Sequence, residues 1–200
     1  MKLDKIITDD VGFVNFSYYP IEYIGMKNEL NVFEKPNILI GNSATSTNNH
    51  LDVFKILLKY NLSGKKLIVP LSYGDEKYKS LIVSAGYKYF GSTFDPVLDF
   101  MPLDQYNNKL STCGIAIMNH YRQQAIGNII SLLSQGCKVY LSKFATSYPY
   151  FKRLGFFIYS VEDDLLTASF NNLKQEEALQ NKLIVKHYFG EKNLIDNLVF

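Results

Sequence analysis

The sequence lacks tryptophan, has only two cysteines among its 200 residues, and carries almost no net charge. Two cysteines cannot build the disulfide framework of a small secreted protein. Cys113 and Cys137 each lie in an apolar segment typical of a buried strand, so we interpret them as small hydrophobic residues rather than as a redox pair. The 21 basic and 19 acidic residues leave a net charge of +2, which gives no reason to expect a nucleic-acid partner.

Long hydrophobic runs are also missing. No segment reaches the ~18 apolar residues of a membrane-spanning helix. The first residues, MKLDKIITDD, place acidic side chains where a signal peptide needs an apolar stretch. We therefore expect a cytoplasmic protein. Peripheral contact with a membrane stays open, because it requires only a modest apolar or basic patch.

The chain does contain enough apolar residues for a continuous core, since 47% of its residues are hydrophobic and 20% are charged. From residue 36 onward, short apolar runs alternate with helical patterns, which is typical of successive βα units around a parallel sheet. We predict an α/β fold, a three-layer Rossmann-like domain with a mostly parallel six-stranded sheet. The predicted strands are 37–41, 66–71, 87–90, 114–118, 137–141 and 156–159.

The same patterns divide the chain into three parts. Residues 1–35 are aromatic and do not follow the βα rhythm, so we interpret them as an N-terminal arm or interdomain linker. Residues 36–160 form the Rossmann-like domain, and residues 161–200 are predicted to be helices packed on that domain. The predicted helices are 48–60, 75–85, 103–110, 125–135, 147–154, 173–189 and 193–200.

The loop after the first predicted strand reads GNSATSTNNH over residues 41–50. Gly41 frees the backbone, and Asn42 and Ser43 begin a run of short polar side chains that leads to a helix N-terminus. Such a loop offers N–H groups, hydroxyls and a helix dipole to an anion such as a diphosphate. Ser, Thr and Asn are equally common as turn and cap residues, and the two interpretations are near parity for this loop alone.

The loop after the fourth predicted strand reads NHYRQQAIGN over residues 119–128. Its Arg122 suits a phosphate, and His120 with the amides of Gln123 and Gln124 suits a sugar or a base. Gly127 lets a ligand approach the next helix closely. An isolated histidine is a poor metal ligand, so we predict no protein-bound metal and no cofactor.

A third loop, Ser72 to Asp75, presents Tyr73, which could stack on a base or a sugar. A capped turn with Asp75 as the helix cap is the commoner explanation for this loop. The P-loop, GxGxxG, GxSxG and HExxH motifs are absent. The residues alone therefore predict a domain that binds a phosphorylated ligand across neighbouring loops, without indicating a reaction.

Two segments carry a family resemblance. ILIGNSATSTNNHLDVFKIL (residues 38–57) and HYRQQAIGNIISLLSQGCKVYL (residues 120–141) resemble the TDP-N-acetylfucosamine:lipid II N-acetylfucosaminyltransferases of enterobacterial common antigen synthesis, which form glycosyltransferase family 56. KLIVPLSYGDEKY lies between them in the same order. The likeness covers roughly residues 36–160 and fades over the last forty.

The resemblance implies a glycosyltransferase with two Rossmann-like domains, the GT-B architecture. This chain would be the C-terminal, donor-binding half, which binds a TDP-sugar without a metal. The sugar would be an N-acetylated deoxyamino sugar of the 4-acetamido-4,6-dideoxygalactose type, and the acceptor a polyprenyl-diphosphate-linked saccharide. The matching donor-binding positions are Gly41, Asn42 and Ser43 in the first loop and Arg122, Gln123, Gln124, Gly127 and Asn128 in the second.

The sequence departs from a complete enzyme of this type, because its first donor-domain strand begins near residue 37. The N-terminal domain that holds the acceptor and usually the catalytic base would precede it. We expect either an excised C-terminal domain or a natural half-enzyme with a partner chain, in both cases binding donor without efficient transfer. The complete enzyme would be peripheral at the inner face of the bacterial plasma membrane. The alternative is a non-catalytic Rossmann-like nucleotide-binding or regulatory module, and the catalytic base is unassigned.

Overall fold

Six parallel strands form the centre of the computed structural model, which describes residues 20–24, 35–167 and 170–198. The strands are β1 Asn37–Ile40, β2 Leu67–Pro70, β3 Phe94–Val97, β4 Cys113–Met118, β5 Lys138–Leu141 and β6 Tyr159–Ser160. Their order in the sheet is β3-β2-β1-β4-β5-β6, and every neighbouring pair is parallel. The order reverses between β1 and β4, and in open α/β sheets the ligand crevice lies at this point.

Helices cover both faces of the sheet. Their bounds are α1 His50–Leu57, α2 Glu76–Phe90, α3 Leu103–Ser111, α4 Ile126–Ser134, α5 Ser147–Arg153, α6 Gln175–Phe189 and α7 Glu191–Leu198. Short 3-10 turns lie at Ile21–Ile24, Ser46–Asn48, Gly91–Thr93 and Leu165–Thr167.

The strands direct alternate side chains into two separate cores. On β1, Ile38 and Ile40 face α1 and α2, whereas Leu39 faces α3, α4, α5 and α6. Both faces of the central strand β4 are covered, and all six of its residues are buried. Each fully buried Ile or Leu contributes roughly 1.5–3 kcal/mol to folding. The predicted α/β class and its three layers are confirmed.

The third predicted strand, 87–90, is wrong. These residues are the last turn of α2, and β3 begins at Phe94. The predicted helix 75–85 ends just before Gly86, but Gly86 lies inside α2, where its missing side chain leaves room for the Phe94 ring, 2.3 Å from the site of an added Cβ. Gly91, with φ 51°, ends α2 instead. Pro96, which follows the predicted strand 87–90 and precedes the predicted helix 103–110, lies in β3, where an edge strand tolerates a proline.

The C-terminal part differs from the expectation in smaller ways. The sixth predicted strand, 156–159, overlaps β6 only at residue 159, because β6 consists of the two residues Tyr159 and Ser160. At the start of the predicted helical part 161–200, the Asp163 N–H donates to Ser160 Oγ at 2.8 Å, and this bond closes a turn rather than beginning an α-helix. Most of the predicted arm, 1–35, lies outside the described residues. Of its described part, Glu22 accepts the N–H of Glu191 at 3.0 Å, at the start of α7.

Candidate functional site

Three loops meet where the strand order reverses: 41–49 after β1, 71–75 after β2, and 119–125 after β4. The Ala44 N–H donates to the Tyr73 carbonyl at 2.7 Å, and the Asp75 N–H donates to the Ala44 carbonyl at 2.8 Å. Asn49 Nδ2 donates to the Asn119 carbonyl at 2.7 Å. These bonds tie the first loop to both of its neighbours.

The side-chain amide of Gln124 also joins the loops, through hydrogen bonds from both its nitrogen and its oxygen. Its Nε2 donates to Asn42 Oδ1 at 2.9 Å and to Asn48 Oδ1 at 3.2 Å. Its Oε1 accepts from Thr47 Oγ1 at 2.9 Å and from Arg122 Nε at 3.1 Å. Both donor hydrogens and both lone pairs are therefore in use. Gln124 is the central polar residue of the site.

The backbone at Gly41 permits the close packing of the first loop. Its φ is 65°, and an added Cβ would lie 2.6 Å from His50 Nε2 and 3.0 Å from Asn48 Oδ1. A side chain is therefore excluded by both conformation and space. Burial lowers the pKa of His50 to about 4, so this ring is neutral at pH 7.

The N-terminus of α4 is open. Ala125, the residue before the helix, has φ 56° and makes no side-chain cap bond, and a Cβ added at Gly127 would meet nothing within 4 Å. By contrast, Asp75 caps α2 by accepting the Tyr78 N–H at 2.7 Å. Because an uncapped helix start presents free N–H groups and a positive dipole, α4 can receive an anion where α2 cannot.

A cavity of about 230 Å³ adjoins α4 on the side of the sheet covered by α3 and α4. We call it the inner cavity. It lies among Asn42, Pro70, Ser72, Tyr73, Val97, Phe100, Met101, Leu103, Tyr106 and Asn128. Asn128 Nδ2 donates to the Tyr106 hydroxyl at 3.4 Å, and Asn42 Nδ2 donates to the Tyr73 hydroxyl at 3.0 Å. Burial raises the pKa of Tyr106, so its hydroxyl stays protonated. The walls are apolar and aromatic with a few amide and hydroxyl groups.

A second cavity, of about 490 Å³, lies beside the chain that leads into α1. We call it the outer cavity. It is lined by Ser46, Thr47, Asn49, Tyr121 and Arg122. Gln124 is bonded to Asn42 of the inner cavity and to Thr47 and Arg122 of the outer cavity, and so stands between the two.

His120 is fully buried at the end of β4. Its Nδ1 lies 3.0 Å from the Arg122 carbonyl, which can only accept, so Nδ1 carries the proton and Nε2 the lone pair. Burial lowers the pKa of His120, which keeps the ring neutral at pH 7. Within the described part of the chain, Nε2 has no partner. His120 therefore supports the loop that carries Arg122.

The structure separates the sequence-predicted residues into groups. Asn42, Tyr73 and Asn128 line the inner cavity, Arg122 lines the outer cavity, and Gln124 links the two. The hydroxyl of Ser43 bonds within its own loop, to Thr45 Oγ1 at 2.9 Å. The remaining predicted residues are Gly41 beneath the first loop, Gly127 at the α4 start, His120 behind Arg122, and Gln123, which is exposed and lines neither cavity.

Sequence reasoning missed several residues of this site, among them Tyr106, Asn48 and Thr47, which make hydrogen bonds within it. Tyr106 on α3 was an ordinary helical residue in the pattern, because its role depends on α3 folding beside α4. Asn48 and Thr47 were read as loop and helix-start residues. Asn48 is fully buried and its Nδ2 donates to the Ser43 carbonyl at 2.9 Å. The signal in the sequence was the run of polar residues over 41–50, which is denser than a simple turn requires.

Across residues 20–24, 35–167 and 170–198, no three His, Cys, Asp or Glu side chains gather in a way that could hold a metal ion. In the same ranges, no helix combines the length and apolar character needed to cross a bilayer.

Comparisons with solved structures identify the fold. The chain matches the sucrose-phosphate synthase of Thermosynechococcus elongatus with a TM-score of 0.63 at 12% identity, over 90% of this chain and 48% of that one. It matches the N-terminal domain of the Candida albicans trehalose-6-phosphate phosphatase with a TM-score of 0.59 at 15% identity, over 92% and 45%. The catalytic domain of the Helicobacter pylori cholesterol-α-glucosyltransferase matches with a TM-score of 0.50 at 14% identity, over 80% and 98%.

These likenesses show the Rossmann-like fold of one half of a GT-B glycosyltransferase, and the chain spans about half the length of the first two of these structures. The family comparison is more specific. The family model described as 4-alpha-L-fucosyltransferase, glycosyl transferase group 56, matches residues 16–184, a range that contains all three loops of the site. The chain therefore belongs to glycosyl transferase group 56.

Proposed function

We propose that this chain is the donor-binding domain of a glycosyltransferase that uses a nucleotide-diphosphate sugar. The observation that carries the proposal is the uncapped start of α4, which opens beside an apolar, aromatic-lined cavity. The finer assignment follows the family resemblance: a TDP-sugar of the 4-acetamido-4,6-dideoxygalactose type and a polyprenyl-diphosphate-linked acceptor. The acceptor would be held by a further domain or chain, at the inner face of the bacterial plasma membrane.

The inner cavity suits the nucleoside. Its volume of about 230 Å³ is below the ~300–1,000 Å³ usual for a complete ligand pocket, so it fits one part of a larger ligand. Phe100, 86% exposed at the rim, offers an aromatic face to a base. Asn128 and Tyr106 provide hydrogen-bonding groups deeper in the cavity. A base with both a flat face and polar edges matches these walls.

The diphosphate would lie at the start of α4. The open surface at Gly127 lets phosphate oxygens approach the N–H groups of the first turn. Asn128 in the same turn lines the inner cavity together with Asn42 of the first loop. The helix N-terminus carries about half a positive charge, which stabilises a leaving diphosphate as the sugar is transferred. This arrangement uses backbone groups rather than a metal to hold the departing charge.

Calorimetric titration with TDP, UDP, GDP and ADP, with and without magnesium, tests the donor site. We expect TDP to bind most tightly, with an affinity that magnesium does not change. Equal affinity for all four nucleotides would reject the base assignment. Absence of binding by any of them would reject the donor site in this chain.

A variant pair locates the binding. Phe100→Ala removes one stacking face worth about 1 kcal/mol, which is a loss of about fivefold in TDP affinity. Phe144→Ala is the matched control, because Phe144 is also exposed, at 65%, but lines neither cavity. A similar loss in both variants would show that the inner cavity is not the nucleoside site.

A further inference from the structure

The direction of the hydrogen bonds in the site is fixed by Asn48. Its Oδ1 accepts the backbone N–H of Asn42 at 3.2 Å, and its Nδ2 donates to the Ser43 carbonyl at 2.9 Å. A backbone N–H can only donate and a carbonyl can only accept, so each end of the Asn48 amide has one possible identity. The side chain is also fully buried, which holds this orientation in place.

Gln124 carries this direction to Asn42. The end of Gln124 that lies 3.2 Å from Asn48 Oδ1 is its Nε2, because that oxygen can only accept. The opposite end accepts from Arg122 Nε at 3.1 Å, which assigns the amide in the same way. Gln124 Nε2 also donates to Asn42 at 2.9 Å, so the Asn42 atom that it meets is Oδ1. The other end of Asn42, Nδ2, therefore faces the Tyr73 hydroxyl and donates to it at 3.0 Å.

The Tyr73 hydroxyl is left with a hydrogen to donate. A phenol has one O–H group, and here its oxygen accepts from Asn42, so its hydrogen points elsewhere. Among the residues that the structure describes, Asn42 is the only hydrogen-bond partner of this hydroxyl. Tyr73 is 53% exposed and lines the inner cavity, so the hydrogen is accessible to a ligand.

A diphosphate oxygen is the acceptor that suits this hydrogen. Phosphate oxygens carry charge and can only accept, and a hydrogen bond to a charged oxygen is about twice as strong as one between neutral groups. Two hydrogen bonds connect the Tyr73 hydroxyl to Gln124, which is followed along the chain by Ala125 and the start of α4. The hydroxyl therefore lies on the side of the inner cavity where the proposed donor site places the diphosphate.

We propose that Tyr73 binds the donor nucleotide through its O–H group, which donates to an oxygen of the diphosphate. Gln124 is the positioning residue that sets the direction of this bond through Asn42. Tyr73 then acts as a hydrogen-bond donor rather than by stacking on a base or a sugar. The inference rests on the proposed function, because it identifies a contact within the same donor site.

Calorimetric titration of the parent protein and of Tyr73→Phe with TDP and with ADP, whose base has no carbonyl, tests the contact. We expect Tyr73→Phe to weaken both nucleotides by the same factor, about tenfold or more, because the diphosphate is common to them. Tyr87→Phe is the matched control, since Tyr87 is 52% exposed on α2 and lines neither cavity, and it should leave both affinities unchanged.

Two results would overturn the contact. One is a Tyr73→Phe protein that binds TDP as tightly as its parent. The other is a loss of affinity for TDP without a loss for ADP, which would place the hydroxyl against a carbonyl of the base. Absence of TDP binding to the parent protein would reject the proposed donor site itself, whereas TDP binding that Tyr73→Phe leaves intact rejects only this contact.

Gln124→Glu tests the positioning role in a double-mutant cycle. A carboxylate can only accept, so the Asn42 amide must turn its Nδ2 toward residue 124 and its Oδ1 toward Tyr73, where it takes the hydroxyl hydrogen. We expect Tyr73→Phe to cost less than about twofold in TDP affinity in this background, against about tenfold in the parent. The added negative charge is present in both members of the pair, so its effect cancels from the ratio. Equal losses in the two backgrounds would overturn the role of Gln124, and Tyr73→Phe alone decides the contact if Gln124→Glu does not fold.

Discussion

Replacing Gly127 by alanine should stabilise the protein and weaken its binding of nucleotide. Gly127 lies in the first turn of α4 with ordinary helical φ, and an added Cβ meets nothing within 4 Å. The new methyl group therefore costs no packing in the unliganded protein. It would occupy the space through which a diphosphate reaches the N–H groups of the helix.

The two effects have opposite signs. Alanine in place of a helical glycine reduces the entropy lost on folding, which raises the free energy of unfolding by about 0.5–1 kcal/mol. If the diphosphate loses one hydrogen bond between its charged oxygens and the helix start, TDP affinity falls by about 1.5–3 kcal/mol, which is roughly tenfold or more.

Urea unfolding and TDP calorimetry on the same variant measure both quantities. Gly86→Ala is the control, because Gly86 is also helical but its added Cβ would lie 2.3 Å from the Phe94 ring. Overpacking there should lower the free energy of unfolding by about 1–3 kcal/mol and leave TDP affinity intact. A Gly127→Ala protein that binds TDP as tightly as its parent would refute the placement of the diphosphate at α4.

Other substitutions probe the scaffold. Gly41→Ala should lower the free energy of unfolding by at least about 1–2 kcal/mol in urea, because φ is 65° and His50 lies against the new Cβ; an unchanged unfolding midpoint would contradict the packing described. Asp75→Ala should cost about 1 kcal/mol through loss of the α2 cap, measured by thermal unfolding, and leave TDP affinity unchanged. The pKa of His50 is lowered from 6.5 to about 4, so the unfolded chain binds this proton first as pH falls. The neutral His50 ring stabilises the fold fully above pH 6.5, and this contribution, on the order of 3 kcal/mol, is lost as the pH falls from 6.5 to 4. His50→Gln should therefore flatten the pH dependence of the free energy of unfolding measured in urea.

Four of the six strands, β1, β2, β4 and β5, could be placed from the sequence because burial on both faces makes them short, largely apolar runs. Segments such as Asn37–Ile40 and Cys113–Met118 are readable for that reason. The third strand was misplaced because a glycine inside a helix and a glycine after a helix look alike in sequence. Only the ring of Phe94, packed onto Gly86 from a later segment, distinguishes the two.

The candidate site was predictable at the level of loops rather than of cavities. The polar runs at 41–50 and 119–128 were identified because parallel strands end at a common edge. Sequence alone did not separate Asn128 from Arg122, six positions apart, although they line different cavities. Their separation depends on the amide of Gln124 and on α3 supplying Tyr106, both of which require the tertiary structure.

Both margins of the sheet are poor templates for adding another strand. At one margin, β3 contains Pro96, which has no N–H to offer a neighbouring chain, and at the other, β6 is only two residues long. An exposed strand edge can pair with a strand of another chain and so promote aggregation. Proline residues and short edge strands both reduce this pairing. Further protein chains should therefore join this domain through its loops and helices rather than through the edge strands β3 and β6.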